Sequence, residues 1–552
     1  MAPRWWWPAL VGVLLVACAT AFTGNQGYVP LETHEAFVAR SAEEMLAGKS
    51  WLVPFFNGEP RLKKPPLSYW LVMAIDRLDG ADGIITEAEC RLPSAVAGVI
   101  MVAIIVFLGA VLMDGPTGLL AGLLAAACAG FVSYSHSARP EMVYAMLCTA
   151  ALLAFALADR RLRRGTAGAG AGWASRSAWF LLGLALLAKG PQLPAMIVAG
   201  ILIAVSVSRQ WRHGLAVLRP VSGIVIALAV SGWWYAAIFF TLPDAMMIWR
   251  VETVDRFVDA REPMSGYLDP YYLYRTAGLV LPWLLFYPFA VLTPWVRELK
   301  RDRSAILLWW IVIAVMAGLS LSLGRRWYYM LPVLGPIMIL MAAGAIRAAA
   351  TLQGEGKSAL VRWLLALHAL GIGAAACWLR FDQPAQTALP LWALSAAIAA
   401  AIIGAALIIC SAGRGAAGDL RALAAMVLVA VVFFVGAGAH GSLRQARRFE
   451  ARAFGRRVAE LVADDATLLG WQGMWAVEQY ELHRSIPQLH QMSALLEAMG
   501  DWESVYVLVR SGDIFPQTPG HTARRLFAGP YDGDPEGRQL WQVSRVSAAG
   551  GR

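Results

Sequence analysis

The sequence predicts a mainly α-helical, polytopic membrane protein that ends in a small α/β domain. Three observations carry this reading. First, 58% of the 552 residues are apolar and only 15% are charged, against roughly 45–50% and about 25% in soluble chains. With a mean hydropathy of +0.56, such a chain must hide its surface in lipid. Disorder and fibrous repeats are excluded by the same composition. Second, thirteen apolar runs approach the roughly 17–25 residues that a membrane-spanning helix needs. Third, the composition turns polar after His440, where a basic helix-like run (Arg444, Arg447, Arg448, Arg452, Arg456, Arg457) precedes strand-like Thr467–Trp471 and Ser504–Arg510. The six cysteines lie far apart with no C-x-x-C pair, so neither a disulfide scaffold nor a thiolate metal site is indicated. The net charge of +10 is spread around the apolar runs, which points to topology and to anionic membrane lipids rather than to nucleic acid.

The runs lie near residues 7–24, 93–113, 115–133, 142–158, 178–188, 191–207 and 217–240, then 276–296, 304–323, 328–350, 363–379, 390–410 and 422–440. The fifth is short and interrupted. In the opening segment, Leu15-Val16-Ala17-Cys18 also reads as a lipoprotein cleavage box. An odd span count favours a retained first helix and puts the two termini on opposite sides. With the N-terminus inside, the inner loops hold 17 basic residues, among them Arg160, Arg161, Arg163, Arg164, Lys300, Arg301 and Arg303. The short outer hairpins hold only Arg139, Lys189, Arg325, Arg326 and Arg380, so the positive-inside rule predicts N-inside and C-outside. The transmembrane domain is accordingly expected over 1–440, with outer loops 25–92 and 241–275, and the extracytoplasmic domain over 441–552. The stretch Gly165–Gly172 (GTAGAGAG) reads as an inner loop; it lacks the Gly-Lys-Ser/Thr ending of a phosphate-cradling loop.

The first outer loop is the most informative segment. His34–Leu46 reads as a helix lying along the membrane surface on Phe37, Val38, Met45 and Leu46. Asn57-Gly58 signals a tight turn between extended runs, and Pro65-Pro66 bar a helix until Leu67. Lys63 and Lys64, pinned beside that rigid dipeptide, are either a grip for a lipid phosphate or solvated charges.

The segment HEAFVARSAEEMLAGKSWLVPFFNGEPRLKKPPLSYWL, followed by Arg91-Leu92-Pro93-Ser94, resembles the C-superfamily (GT-C) membrane glycosyltransferases. The similarity is greatest to the bacterial 4-amino-4-deoxy-L-arabinose transferases (ArnT-like) and more distant to protein O-mannosyltransferases. Arg139-Pro140-Glu141, Ala188-Lys189-Gly190-Pro191, Trp233-Trp234-Tyr235, Glu252–Phe257, Pro282-Trp283 and Arg325–Pro332 match in order and spacing, over roughly residues 1–340. The resemblance implies a GT-C fold of about thirteen transmembrane helices in a bacterial inner membrane. It also implies transfer of a sugar from a polyprenyl-phosphate donor to an outer acceptor such as lipid A, a glycolipid or a protein. Glu35 matches the second acid of the family's Asp-Glu pair, whereas His34 replaces the first; Glu35, His34 and Glu141 are therefore the candidate catalytic residues. Lys64, Lys189 and Arg256 match the family cations that meet the donor phosphate, with Lys63, Arg325 and Arg326 as further candidates. Relatives can hold a divalent ion with a Glu before Lys-Pro-Pro and a His in the second loop. Lys63 and Thr253 stand there in this chain, so no metal or other cofactor is expected. Two rival readings are a secondary transporter or lipid flippase, and a non-catalytic member of the same fold.

Overall fold

The computed structural model describes residues 4–24, 29–48, 50–80, 82–165, 169–251, 270–322, 324–354, 358–381, 391–410, 425–435, 443–473, 475–499, 504–513, 520–529 and 537–545. The chain divides into two compact units. One comprises Met1–Gln26, Leu62–Ile75 and Arg91–Gly441; the other gathers Gly27–Arg61, Asp76–Cys90 and Ser442–Arg552.

The first unit is helical. Among the described residues seven helices are long and apolar enough to cross a membrane, including Glu87–Leu112, Glu141–Arg163, Arg303–Ser320 and Leu391–Cys410. A bent pair, Gly115–Ala126 and Ala129–Ser135, meets at 58°, and shorter apolar helices include Trp6–Phe22 and Gln192–Val207. The chain is thus a multi-pass membrane protein. Small residues set the closest helix packing, as expected where lipid removes the hydrophobic drive between helices. At Gly118 a Cβ would lie 2.2 Å from the Val106 carbonyl oxygen, and at Gly109 one would lie 2.6 Å from the Gly118 Cα. Asp114 caps helix Gly115–Ala126 by accepting from the Thr117 N–H at 2.8 Å.

Two segments depart from the sequence expectation. The run at 276–296 is not one helix: Tyr271–Leu279, a 3-10 turn at Leu284–Phe286, Tyr287–Val291 and another turn at Thr293–Trp295 succeed one another. Pro282, Pro288 and Pro294 recur every six residues and remove the amide donors that a continuous helix needs. Conversely, the interrupted fifth run lies in a 20-residue helix, Ala169–Ala188. Part of the predicted glycine-rich loop is therefore its first turn.

The second unit holds a five-stranded mixed sheet. With β1 (Phe55–Phe56) and β2 (Glu59–Pro60) forming a small hairpin, the sheet strands are β3 (Leu468–Trp471), β4 (Gln488–Leu489), β5 (Ser504–Arg510), β6 (His521–Ala528) and β7 (Arg538–Arg545). Their order is β4-β3-β5-β7-β6; β3 pairs in parallel with β4 and β5, and β7 pairs antiparallel with β5 and β6. The predicted turn at Asn57-Gly58 closes the hairpin, with Asn57 at φ 60. Both oxygens of Glu44 accept from the two turn amides, at 2.8 and 3.0 Å. The Asn57 side chain then exchanges two hydrogen bonds with the backbone of Ile486, at 2.9 and 2.8 Å. Helix Thr33–Leu46 packs inside this unit. Phe37, Val38 and Met45, expected on a membrane surface, are buried here, and Phe37 meets Phe56 edge-on at 4.7 Å.

Candidate functional site

In the first unit the residues of interest meet at helix ends. Pro140 precedes helix Glu141–Arg163 and places Glu141 in its first turn, where the helix dipole favours a carboxylate. Lys189 follows the last residue of helix Ala169–Ala188, and its amide still reaches the Ala185 carbonyl at 3.1 Å. Gly190 then turns the chain at φ 117, a conformation that costs glycine nothing. Tyr144 fixes this turn: its hydroxyl donates to the Gly190 carbonyl at 2.9 Å and accepts from the Leu193 N–H at 3.2 Å.

The result is a buried ion pair. Lys189 Nζ lies 3.1 Å from Glu141 Oε1, with the two side chains 11% and 4% exposed. Three tyrosine rings surround the ammonium, with centroids at 4.6 Å (Tyr329), 5.1 Å (Tyr328) and 5.8 Å (Tyr144), distances at which ring faces attract a cation. Two more cations stand within electrostatic reach of Glu141, namely Lys64 and Arg139. Arg139 lies over Tyr328 at 5.7 Å, and its carbonyl accepts from Ser94 Oγ at 3.2 Å. Glu141 therefore has three positive groups around it. The second oxygen of that carboxylate, Oε2, is buried with no hydrogen-bond partner among the described residues.

The other predicted cations are placed differently. Lys63 is exposed where Lys64 is partly buried. Arg325 is buried and donates to the carbonyls of Ser322 and Ser320, both at 3.1 Å, so it closes its own turn. Arg326 is exposed, and its backbone amide donates to the Tyr272 hydroxyl at 3.3 Å. Arg256 and Thr253 lie outside the described residues.

Glu35 and His34 belong to the second unit. Glu35 is 1% exposed. It forms a capping box with Glu32, its Oε2 accepting from the Glu32 N–H at 3.0 Å. The same oxygen takes a hydrogen bond from Arg448 at 3.3 Å, and Arg448 also binds Glu32 at 3.1 Å. His34 is exposed beside it. Within the same unit His483 Nδ1 meets Glu43 Oε1 at 3.2 Å. That hydrogen bond raises the imidazole above its ordinary range, against the opposing effect of partial burial.

Sequence reasoning missed Tyr144, Tyr328 and Tyr329 as partners of Lys189, and Arg448 as the partner of Glu35. Tyr328 and Tyr329 lie in a segment singled out for its order, but no local pattern tells which ring faces a distant lysine. Among the described residues no group of three or more His, Cys, Asp or Glu side chains is gathered for a metal ion.

A family model described as dolichyl-phosphate-mannose-protein mannosyltransferase matches residues 63–235, which include Lys64, Arg139, Glu141 and Lys189. The chain is similar to the undecaprenyl phosphate-alpha-4-amino-4-deoxy-L-arabinose arabinosyl transferase of Edwardsiella ictaluri, 28% identical over 392 residues that cover 68% of this chain and 65% of that one. It is also similar to the corresponding transferase 1 of Pseudomonas fluorescens strain Pf0-1, 25% identical over 356 residues that cover 62% and 58%. The chain thus spans a little under two thirds of the length of these curated relatives. Among solved structures, ArnT from Cupriavidus metallidurans bound to undecaprenyl phosphate superposes with a TM-score of 0.72 at 17% identity, covering 100% of both chains. The chain therefore has the mainly helical fold of that structure, as the sequence resemblance implied.

Proposed function

We propose that this protein is a multi-pass enzyme of the bacterial inner membrane that transfers a sugar from a polyprenyl-phosphate donor to an extracytoplasmic acceptor such as lipid A, a glycolipid or a protein. Its N-terminus is cytoplasmic and its C-terminal domain extracytoplasmic. One observation carries the reading: Lys189, Lys64 and Arg139 gather around Glu141 in an enclosure partly walled by tyrosines. Cations clustered beside apolar spans are suited to an anion, and a phosphate on a membrane-bound lipid is the anion the curated relatives' names supply.

In the transfer, the bond between the anomeric carbon and the phosphate oxygen breaks, and the phosphate leaves with the electron pair. The acceptor oxygen forms the new bond to that carbon and loses its proton to a base. Lys189, Lys64 and Arg139 stabilise the charge that develops on the leaving phosphate. Glu141 orients Lys189 through Oε1, while Oε2 is open to accept a hydrogen bond from a sugar hydroxyl. His34 and Glu35 stay the candidates for the acceptor base on the sequence resemblance. Glu35 already caps its helix and binds Arg448, which supports a positioning role for it. Lys63 and Thr253 stand where relatives carry a Glu and a His, and neither is a strong ligand for a divalent ion, so the proposed reaction uses none.

Purified protein supplied with undecaprenyl-phosphate-linked sugar and an acceptor lipid should release undecaprenyl phosphate in step with acceptor glycosylation. Movement of the donor between leaflets without release would mark a flippase, and neither event would mark a non-catalytic member of the fold. A positioned base contributes roughly 10²–10⁴-fold, so His34→Ala should lower turnover by that factor with donor binding retained. Loss confined to Glu35→Gln would move the role to Glu35.

A further inference from the structure

Helix Glu141–Arg163 is 23 residues long, so its two ends lie roughly 33 Å apart at 1.5 Å per residue. That matches the thickness of a bilayer's hydrocarbon core, about 30 Å. The ion pair of Glu141 and Lys189 occupies one end. At the other end, still within the first unit, is a cavity of about 670 Å³, a size typical of ligand pockets. Its floor is apolar and buried: Leu152, Phe155, Ile201 and Leu308 line it. Its mouth carries six cations, Arg160, Arg163, Arg164, Lys300, Arg301 and Arg303, all but Arg160 exposed. Asp159 is the single carboxylate among the described lining residues, and it is already engaged. It takes two hydrogen bonds from Arg163, at 2.8 and 2.9 Å, and meets His213 Nε2 at 2.7 Å. Arg163 and Arg303 stand within electrostatic reach of each other.

We propose that this cavity is a second lipid site, on the membrane face opposite the Glu141–Lys189 pair, that holds an anionic phospholipid with its tail on the apolar floor and its phosphate among the mouth cations. The chemistry matches at both ends. Membrane phosphates lie at the level of the helix ends, where the clustered cations would otherwise repel one another. The apolar floor has no use for a soluble anion, because only a chain-bearing ligand removes it from water. Basic pockets between transmembrane helices are suited to anionic head groups. The site does not depend on the transferase reading, since none of its residues belongs to the proposed donor pocket.

Native mass spectrometry of the full-length protein in detergent, titrated with phosphatidylglycerol and with phosphatidylcholine of the same chains, tests it. Each cation near a lipid phosphate is worth roughly a fivefold change in affinity. The exposed substitutions Arg164→Gln, Lys300→Gln and Arg301→Gln together should therefore weaken phosphatidylglycerol binding on the order of a hundredfold, with phosphatidylcholine unchanged. Ala204 also lines the cavity, and Ala204→Phe, which fills it, should reduce long-chain phosphatidylglycerol binding to that of a short-chain analogue. If the cations serve only to set topology, the triple variant will bind phosphatidylglycerol like the wild type, and the proposal fails. It fails equally if inorganic phosphate displaces the lipid while Ala204→Phe has no effect, because the site would then be one for a soluble anion.

Discussion

Lys189 and Glu141 are both nearly enclosed, so neither charge can be removed without stranding the other. Breaking one partner of a buried pair costs about 3–5 kcal/mol, whereas replacing both by neutral groups of similar volume is often close to neutral. Glu141→Gln and Lys189→Met should each lower thermal stability in detergent, and the double variant should recover much of the loss. A coupling energy of about 1–3 kcal/mol is expected from the cycle, and strict additivity would contradict the direct pair. A second residue-scale consequence concerns pH. His483 is raised by its hydrogen bond to Glu43, with Arg40 opposing and Glu481 assisting. A raised folded pKa means that the pair's contribution is complete below the unfolded value of about 6.5 and is lost as pH rises through the folded value. His483→Asn should therefore flatten the pH dependence of thermal unfolding in that window while leaving the alkaline end unchanged. A wild-type slope in the variant would remove His483 from the account.

At the scale of elements, two contacts decide whether local structure forms. Helices Glu87–Leu112 and Gly115–Ala126 touch through Gly109 and Gly118, where a side chain would run into backbone atoms that cannot yield. Gly118→Leu should destabilise the protein by at least the roughly 1–3 kcal/mol typical of overpacking, visible as a lower melting temperature; an unchanged one would mean the helices separate freely. In the second unit, Glu44 holds both turn amides of the β1–β2 hairpin. Hydrogen bonds to a charged group contribute about 1.5–3 kcal/mol each, so Glu44→Ala should expose the segment around Asn57 to proteolysis in the intact protein, and equal cleavage rates would contradict this. The same elements show what was legible in the sequence. Asn57-Gly58, Pro65-Pro66 and strand Ser504–Arg510 were readable because their signals are local. The broken stretch after Tyr271 was not, because apolarity alone outweighed three prolines spaced six apart. The ring of tyrosines around Lys189 was invisible for a different reason: it joins three separate sequence regions, at Tyr144, Lys189 and Tyr328–Tyr329, and only packing of the helices brings them together. Lys64, Glu141 and Lys189 were singled out through motif order, which does not tell that Glu141 and Lys189 form one ion pair.

For the whole molecule, the helix that carries Glu141 at one end and Arg160–Arg164 at the other ties the proposed donor site to one membrane face and the basic cavity to the other. With 17 basic residues on the predicted inner side, tags after Arg164 and after Arg301 should be shielded in intact cells, and one after Gly550 should be accessible from outside. A C-terminal tag found inside would place the donor site on the wrong face. The central claim is that Lys189, backed by Lys64 and Arg139, receives the phosphate of a polyprenyl donor, and binding of undecaprenyl phosphate to purified Lys189→Ala tests it most directly. Loss of one charge-assisted hydrogen bond of about 1.5–3 kcal/mol should raise the dissociation constant roughly ten- to 150-fold over the wild type, also in the Lys189→Ala/Glu141→Gln variant, which keeps its fold because both partners of the pair are removed together. A dissociation constant equal to the wild type's in that folded variant would contradict the account.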